Sequence, residues 1–254
     1  MSPEAEDNLR FEIGHVLFLD LVGYSKLLIE EQKKQMRQLT DIVLATRPVQ
    51  AATNEQLVRL PTGDGMALVF RNNLEEPALC ALEIARALRA HPEIQVRMGI
   101  HSGLVSEVSD VNERTNIAGA GINLAQRVMD CGDAGHILLS QRVADDLGHY
   151  RQWQPQLHDL GEVEVKHGVR LRIFNLYNEE LGNPERPEKL RRAKQQTTSA
   201  IAGRGQELWV AVLPFKSSGD AEMELFADVS ERTLRQAYRG SGICPSSPAP
   251  RRRD

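Results

Sequence analysis

RLPTGDGMALVF, at residues 59–70, places an aspartate in a glycine-flanked turn between two strand-like runs. The run at 56–60 is followed by Pro, Thr, Gly, Asp and Gly at 61–65, residue types that are typical of a tight hairpin turn. Met66 to Phe70 then continues as an apolar strand. The stretch therefore predicts a β-hairpin that carries Asp64 at its tip.

A second aspartate stands at the end of an earlier predicted strand. In FLDLVGYS, at residues 18–25, Asp20 directly follows an apolar run at 16–19. The residue types of this run are typical of a buried strand. Val22-Gly23 then predicts a tight turn just beyond Asp20. Either aspartate alone would be read as a solvated turn residue, because Asp beside Gly commonly marks one. The combination of the two is what carries information.

The order of the predicted elements brings the two aspartates together. Apolar spacing predicts helices over 25–46 and about 75–91, followed by a strand over 94–101. Together with the hairpin they make a βαββαβ order, the ferredoxin-like arrangement, in which the hairpin tip lies beside the end of the first strand. We therefore expect Asp20 and Asp64 at one edge, where two carboxylates can hold Mg²⁺ ions that also bind substrate phosphates.

The C-terminal part adds a helix and further strands to this α+β core. Residues 105–117 are polar and predict a loop or a ragged hairpin, and Gly119 opens a third helix. In GAGINLAQRVMD, at 119–130, Asn123 and Arg127 lie four residues apart, so both side chains leave the same helical face. The remaining patterns predict a strand at 136–140, a helix at 141–147, and paired strands at 161–166 and 169–177 joined by Lys166-His167-Gly168.

The bulk composition is that of a globular protein and argues against some partners. The chain has 254 residues, of which 41% are hydrophobic and 26% charged, with a formal net charge of −4. That charge does not attract nucleic acid, and no stripe of arginines and aromatics offsets it. The three cysteines lack CxxC spacing, and no apolar run reaches the ~18 to 20 residues of a membrane span. We expect reduced thiols, no export signal, no nucleic acid or membrane partner, and a cytoplasmic location.

Five motifs, in this order and spacing, resemble the class III adenylate/guanylate cyclase catalytic domain. They are FLDLVGYS (18–25), RLPTGDGMALVF (59–70), VRMGIHSG (96–103), AGAGINLAQRV (118–128) and LGEVEVKHG (160–168). The resemblance covers about His15 to Tyr177, and we place the catalytic domain at 10–178. It implies the class III nucleotidyl cyclase fold and a phosphorus-oxygen lyase that converts a purine nucleoside triphosphate to the 3′,5′-cyclic nucleotide and pyrophosphate in intracellular signalling.

The resemblance also implies a role for individual residues. Asp20 and Asp64, with the Leu21 carbonyl nearby, would bind two Mg²⁺ or Mn²⁺ ions. Asn123 would orient the ribose and Arg127 would stabilise the α-phosphate as the 3′-hydroxyl attacks it. The implied phosphate-binding positions are Gly23, Tyr24, Ser25 and Lys166, although Lys166 is followed by His167 where the family usually has glycine. Family members work as head-to-tail dimers, so a homodimer is implied in which the aspartates of one subunit meet Asn123 and Arg127 of the other.

Two positions that specify the base depart from the family pattern. In adenylate cyclases of the family a lysine commonly precedes the second metal aspartate by four residues, and an aspartate or threonine precedes the helical asparagine by seven. Here those positions hold Leu60 and Asn116, and the Glu/Cys-type pair expected for guanine is absent as well. Leucine cannot hydrogen-bond a purine, whereas the Asn116 amide can bond either base. The choice of base stays open, and only family frequency favours ATP over GTP.

Three other functions stay open at this stage. The first is a catalytically weak, nucleotide-binding regulatory domain, which the missing base-reading residues favour and the intact metal positions oppose. The second is a diguanylate cyclase, which shares the ferredoxin-like sheet but carries a Gly-Gly-Asp/Glu-Glu-Phe turn that this sequence lacks. The third is a purely structural interaction domain. We also predict that His101 is a packed strand-end histidine and not a catalytic base.

The composition changes after Tyr177. Residues 179–206 are rich in charged residues and proline and predict a linker. Residues 207–229 resemble the opening of a TolB-like amino-terminal module, and 230–254, ending in SSPAPRRRD, predict a disordered tail. Because about forty residues cannot complete such a module, we interpret the chain as a truncated or frame-shifted relative of a longer protein.

Overall fold

The computed structural model describes residues 11–109, 115–165 and 168–192. Within those ranges one eight-stranded sheet carries five α-helices. The elements are β1 (Phe11–Leu21), α1 (Ile29–Ala45), α2 (Arg47–Ala51), β2 (Leu57–Pro61), β3 (Gly65–Phe70), α3 (Glu76–Leu88), β4 (Val96–Ser109), β5 (Thr115–Ala118), α4 (Ala120–Met129), β6 (Ile137–Ser140), α5 (Gln141–Gly148), β7 (Leu157–Val165) and β8 (Val169–Leu176). None of the helices in these ranges has the length and apolarity needed to cross a bilayer.

The sheet confirms the predicted ferredoxin-like core. Its strand order is β2-β3-β1-β4-β6-β8-β7, with β5 paired to β4. The central strand β1 runs antiparallel to both β3 and β4, as the βαββαβ order requires. Strand β6 joins parallel to β4, and the hairpin of β7 and β8 completes the far edge. The added helix and C-terminal strands therefore extend one continuous sheet.

Alternating apolar side chains of β1 explain why both faces of this sheet are covered. Leu17 and Leu19 are fully buried in a cluster with residues of α1 and α3, whereas Val16 and Phe18 pack on the other face with Ala125 of α4. Helix α4 lies unusually close to the sheet at Gly99, where an added Cβ would stand 2.3 Å from the Met129 nitrogen. The absence of a side chain at Gly99 therefore allows α4 to pack directly on the sheet. This packing also places the residues that follow the helix.

Two helices differ from the sequence-based expectation, and one strand pair decides between two alternatives. Helix α1 begins at Ile29 and not at Ser25, because a short 3₁₀ helix at Tyr24–Lys26 comes first and the Leu28 N–H is capped by Glu31. Pro48, two residues beyond the predicted end of that helix, stands in the first turn of α2, a position that proline favours. Strand β4 runs to Ser109 and pairs with β5, so the ragged hairpin is the correct one of the two expected alternatives for 105–117.

Residues 178–192 form what we call the C-terminal strap, and the strap packs against the sheet. Leu181 and Leu190 are only 3% and 2% exposed. The His136 Nε2–H donates to the Glu185 carbonyl at 2.8 Å, and Asn183 Nδ2 donates to the Ala134 carbonyl at 3.1 Å. This part of the predicted 179–206 linker is thus held by specific contacts. The remainder, 193–206, and the predicted segments 207–229 and 230–254 lie outside the described residues.

We expect Leu190→Ala to lower the free energy of unfolding by about 2 to 3 kcal/mol, because the side chain fills a fully buried site and its removal leaves a cavity. Leu190 packs in a cluster with Val128, Cys131 and Leu138. Urea denaturation followed by circular dichroism measures the change. The matched control is Leu28→Ala, which shortens a side chain that is 73% exposed and should change stability little. Equal effects of the two variants would show that the strap does not stabilise the domain.

Candidate active site

Asp20 and Asp64 lie at one rim of the sheet, where β1 ends and the β2–β3 hairpin turns. Asp20 stands opposite Gly65 in the β1–β3 register, and the Leu21 N–H donates to the Asp64 carbonyl at 2.9 Å. Gly65 allows this approach, since an added Cβ would lie 2.0 Å from the Leu19 carbonyl oxygen and 2.6 Å from the Asp20 Cα. The backbones of the two aspartate-bearing segments are therefore in direct contact.

The two aspartates open onto a cavity of about 340 Å³. Its lining combines the end of β1, the following turn, the hairpin tip, β4 and the loop after α4: Asp20, Leu21, Val22, Gly23, Tyr24, Ser25, Asp64, Arg97, Gly132 and Asp133. Gly23 takes a left-handed conformation, with φ 79°, which turns the chain around the cavity at little steric cost. Every metal and phosphate position implied for residues 20–25 and 64 thus faces one space.

Arg97 of β4 is a residue of this cavity to which the sequence-based reasoning assigned no role. Its Nε donates to Asp20 Oδ1 at 2.8 Å and its Nη2 donates to Asp20 Oδ2 at 2.9 Å, a bidentate pair. The hydrogen bond to the Asp20 carboxylate raises the pKa of Arg97. The sequence signal was an arginine between apolar Val96 and Met98, but its pairing with Asp20 follows only from the β1–β4 register.

The donor set of the cavity suits a hard divalent cation. The Asp20 carboxylate is paired with the Arg97 guanidinium, so a metal ion bound there would share this carboxylate with Arg97 or displace it. The Asp64 carboxylate makes no hydrogen bond or ion pair with another side chain in the described ranges. Those ranges also contain no group of three or more His, Cys, Asp or Glu side chains that could hold a metal. Two carboxylates are nevertheless the usual protein share of a Mg²⁺ site that is completed by water and substrate phosphates.

Asn123 and Arg127 are not among the described residues that line this cavity. Both lie on α4, where Asn123 is exposed and Arg127 is partly buried. The C-terminal end of α4 does reach the site, because Asp130 stands 3.2 Å from Arg97 Nη2. The described cavity of a single chain therefore gathers the two aspartates and the turn at 23–25, but not the helical pair.

The other positions implied for substrate binding are distributed over several elements. Leu60 of β2 is partly buried and packs against the apolar cluster between the sheet and α4. Arg59 is exposed on the opposite face, as strand alternation requires. Asn116 lies in β5 opposite Val108, and Lys166 is outside the described residues. The apolar environment of Leu60 fits its inability to read a base by hydrogen bonding.

His101 is held as a neutral, packed side chain. The residue lies within β4 and not at the strand end that we expected. Its Nδ1 is 2.8 Å from the Ser140 hydroxyl. Burial lowers its pKa to about 4, so the ring carries no charge at neutral pH. It does not line the cavity that holds Asp20 and Asp64. These contacts support the structural role predicted for this histidine.

The sequence is similar to one family over most of its length. A family model described as the adenylate and guanylate cyclase catalytic domain matches residues 9–178. A Rhizobium meliloti (strain 1021) protein named "Putative adenylate cyclase 3" is 26% identical over an alignment of 249 residues, and the alignment covers 94% of this chain and 40% of that protein. The chain thus spans about 40% of the length of this curated relative.

Solved structures of cyclase domains share the fold. The guanylate cyclase domain of RhGC from Catenaria anguillulae, solved with GTP, superposes with a TM-score of 0.56 at 19% identity, over 68% of this chain and 100% of that one. An adenylate/guanylate cyclase/hydrolase from Silicibacter pomeroyi gives a TM-score of 0.53 at 26% identity, over 68% and 100% of the two chains.

Proposed function

The chain belongs to the adenylate and guanylate cyclase catalytic domain family, and on that premise we propose that it cyclises a purine nucleoside triphosphate to the 3′,5′-cyclic nucleotide and pyrophosphate. The observation that carries the proposal is the joint placement of Asp20, Asp64 and the Gly23 turn around one cavity. This arrangement matches the needs of phosphoryl transfer, in which catalysis consists mainly of positioning and charge stabilisation. We place the reaction in the cytoplasm, as part of intracellular signalling.

In this proposal Asp20 and Asp64 hold two Mg²⁺ or Mn²⁺ ions, with the Leu21 carbonyl nearby. Such ions, when bound, acidify the ribose hydroxyl and neutralise charge on the phosphates. The turn at 23–25 and Lys166 position the triphosphate. Asn123 orients the ribose, and Arg127 stabilises the negative charge that develops at the α-phosphate. The chain needs no covalent nucleophile for this reaction.

A complete site is proposed to need two copies of the chain. The cavity of one chain holds the metal positions but not Asn123 or Arg127 in its described lining. A head-to-tail homodimer would bring α4 of the partner subunit over this cavity and would form two equivalent sites. Such two-fold pairing is the commonest symmetry among homo-oligomers.

We propose ATP as the substrate in preference to GTP, with weak discrimination between the two. Leu60 offers the base an apolar contact and no hydrogen bond, and specificity of this kind depends on polar groups that the wrong base leaves unpaired. The Rhizobium meliloti relative is named an adenylate cyclase. The same leucine is the one observation that favours the second candidate, a catalytically weak nucleotide-binding regulatory domain.

Incubation of the purified chain with ATP or GTP and Mn²⁺ or Mg²⁺, followed by quantification of cyclic nucleotide, tests the proposal. We expect product from the wild type and at least about a 100-fold lower rate from Asp64→Asn, because loss of one group that stabilises transition-state charge typically has that effect. The matched control is Asp41→Asn, the same change at an exposed position of α1.

The outcomes separate the candidate functions. No product from either nucleotide with any metal would reject the enzyme and favour the regulatory domain. A rate that survives in Asp64→Asn would contradict the metal site, even if the chain cyclises nucleotides by other means. The ratio of the rates with ATP and with GTP measures how strongly the enzyme discriminates between the two bases with leucine at position 60.

A further inference from the structure

Arg97 lies between two carboxylates that come from different elements. It forms the bidentate pair with Asp20 of β1, and the same Nη2 stands 3.2 Å from Oδ1 of Asp130, the C-cap residue of α4. The Asp130 and Arg97 side chains are 22% and 26% exposed, so both are largely shielded from water. One guanidinium thus touches a proposed metal ligand and a carboxylate to which the proposed mechanism gives no role.

The position of Asp130 is unfavourable unless a cation is nearby. A carboxylate at the C-terminal end of a helix meets the negative end of the helix dipole, which destabilises it. Arg97 offsets this unfavourable field by direct contact. The backbone at this point is also held in place, because Lys189 of the C-terminal strap donates to the Asp130 carbonyl at 3.3 Å. The carboxylate is therefore kept within reach of Arg97.

The pair between Arg97 and Asp20 competes with metal binding. Each Asp20 oxygen accepts one hydrogen bond from Arg97, which leaves a second lone pair for a cation, but the positive guanidinium repels a cation bound there. A partly buried guanidinium without an acceptor is costly, and that cost would oppose metal loading. Asp130 supplies an acceptor that Arg97 already touches, so the guanidinium can leave Asp20 without losing every partner.

We propose that Asp130 is a positioning residue that receives Arg97 when Asp20 binds a divalent cation, and that it thereby sets the metal affinity of the site. The inference rests on the proposed function, since it takes Asp20 and Asp64 as the metal ligands. It adds a second state of Arg97, in which the guanidinium is paired with Asp130. It also assigns control of metal binding to a carboxylate that is not itself a metal ligand.

Mn²⁺ binding to the full chain without nucleotide, measured by electron paramagnetic resonance of free Mn²⁺, tests this inference. We expect Asp130→Asn to raise the Mn²⁺ dissociation constant about 5- to 10-fold, a typical coupling between contacting groups. Asp41→Asn removes the same charge from an exposed position of α1 outside the cavity lining, and it should change the constant less than about 2-fold. Asp130→Glu keeps the acceptor and should restore most of the affinity.

A double-mutant cycle distinguishes a transfer of Arg97 from Asp20 to Asp130 from a general effect of the Asp130 charge on Mn²⁺ affinity. In an Arg97→Met background, Asp130→Asn should change Mn²⁺ affinity little, because there is no guanidinium left to receive. An equal shift in both backgrounds would overturn the inference, as would an unchanged affinity in Asp130→Asn. If wild-type binding is absent or insensitive to Asp64→Asn, the proposed metal site fails and this inference fails with it. Asp64-dependent binding with no effect at Asp130 rejects the inference alone.

Discussion

Co-expression of Asp64→Asn and Arg127→Ala chains is expected to restore about one quarter of the wild-type cyclase activity, although each variant alone should be inactive. This expectation follows from the head-to-tail homodimer proposed above. In a head-to-tail dimer each site takes its aspartates from one subunit and its Asn123/Arg127 pair from the other. A mixed dimer therefore contains one doubly altered site and one intact site. Random pairing makes about half of the dimers mixed.

The control for this experiment pairs Asp64→Asn with Asp20→Asn. Both changes fall on the same half of the site, so no mixed dimer contains an intact one and activity should stay absent. Recovery in the control, or no recovery in the test pair despite mixed dimers detected by affinity tags, would contradict the two-chain site. The single-chain geometry motivates the test, because the described cavity lining includes both aspartates but not Asn123 or Arg127.

Gly65→Ala is expected to destabilise the domain by about 3 kcal/mol or more, since overpacking against fixed backbone is among the most disruptive single changes. The added Cβ would stand 2.0 Å from the Leu19 carbonyl oxygen, so β1 and the hairpin must move apart. We expect a lower urea midpoint and a loss of Mn²⁺ binding together, because the same movement separates Asp20 from Asp64.

Gly148→Ala serves as the comparison for this prediction. Gly148 ends α5, and an added Cβ there would meet nothing within 4 Å. Alanine favours helix over glycine, so this variant should be as stable as the wild type or slightly more stable. A wild-type urea midpoint for Gly65→Ala would show that the hairpin relaxes without disturbing β1, and would contradict the close contact proposed to hold the two aspartates.

Much of the fold was predictable because its signals are local. The hairpin at 61–65 is encoded by turn-forming residues between two strand-like runs, and β1 by a continuous apolar stretch. The predicted strand and helix order was sufficient for the ferredoxin-like core, since few topologies satisfy the rules of connection. Helix starts were less accurate, because the 3₁₀ turn at Tyr24–Lys26 has no periodicity of its own.

The C-terminal strap shows why sparse apolar residues mislead prediction. Leu181 and Leu190 are nine residues apart in a polar segment, too few for a periodic pattern, yet both are buried. The segment also makes hydrogen bonds with distant partners, such as His136 with the Glu185 carbonyl. No pattern within 179–192 signals these contacts, so a linker was the natural interpretation of this stretch.

The sequence by itself determined the two aspartate turns, the helical Asn123/Arg127 pair and the family, because each depends on residue types at short spacing. Only the tertiary structure decided that Arg97 bridges Asp20 and Asp130. That contact needs the β1–β4 register, which sets Arg97 opposite Asp20. It also needs the close packing of α4 on the sheet at Gly99. Strand register and helix packing result from contacts between residues far apart in the chain. For this reason the pairing of Arg97 with the two carboxylates is visible only in the folded molecule.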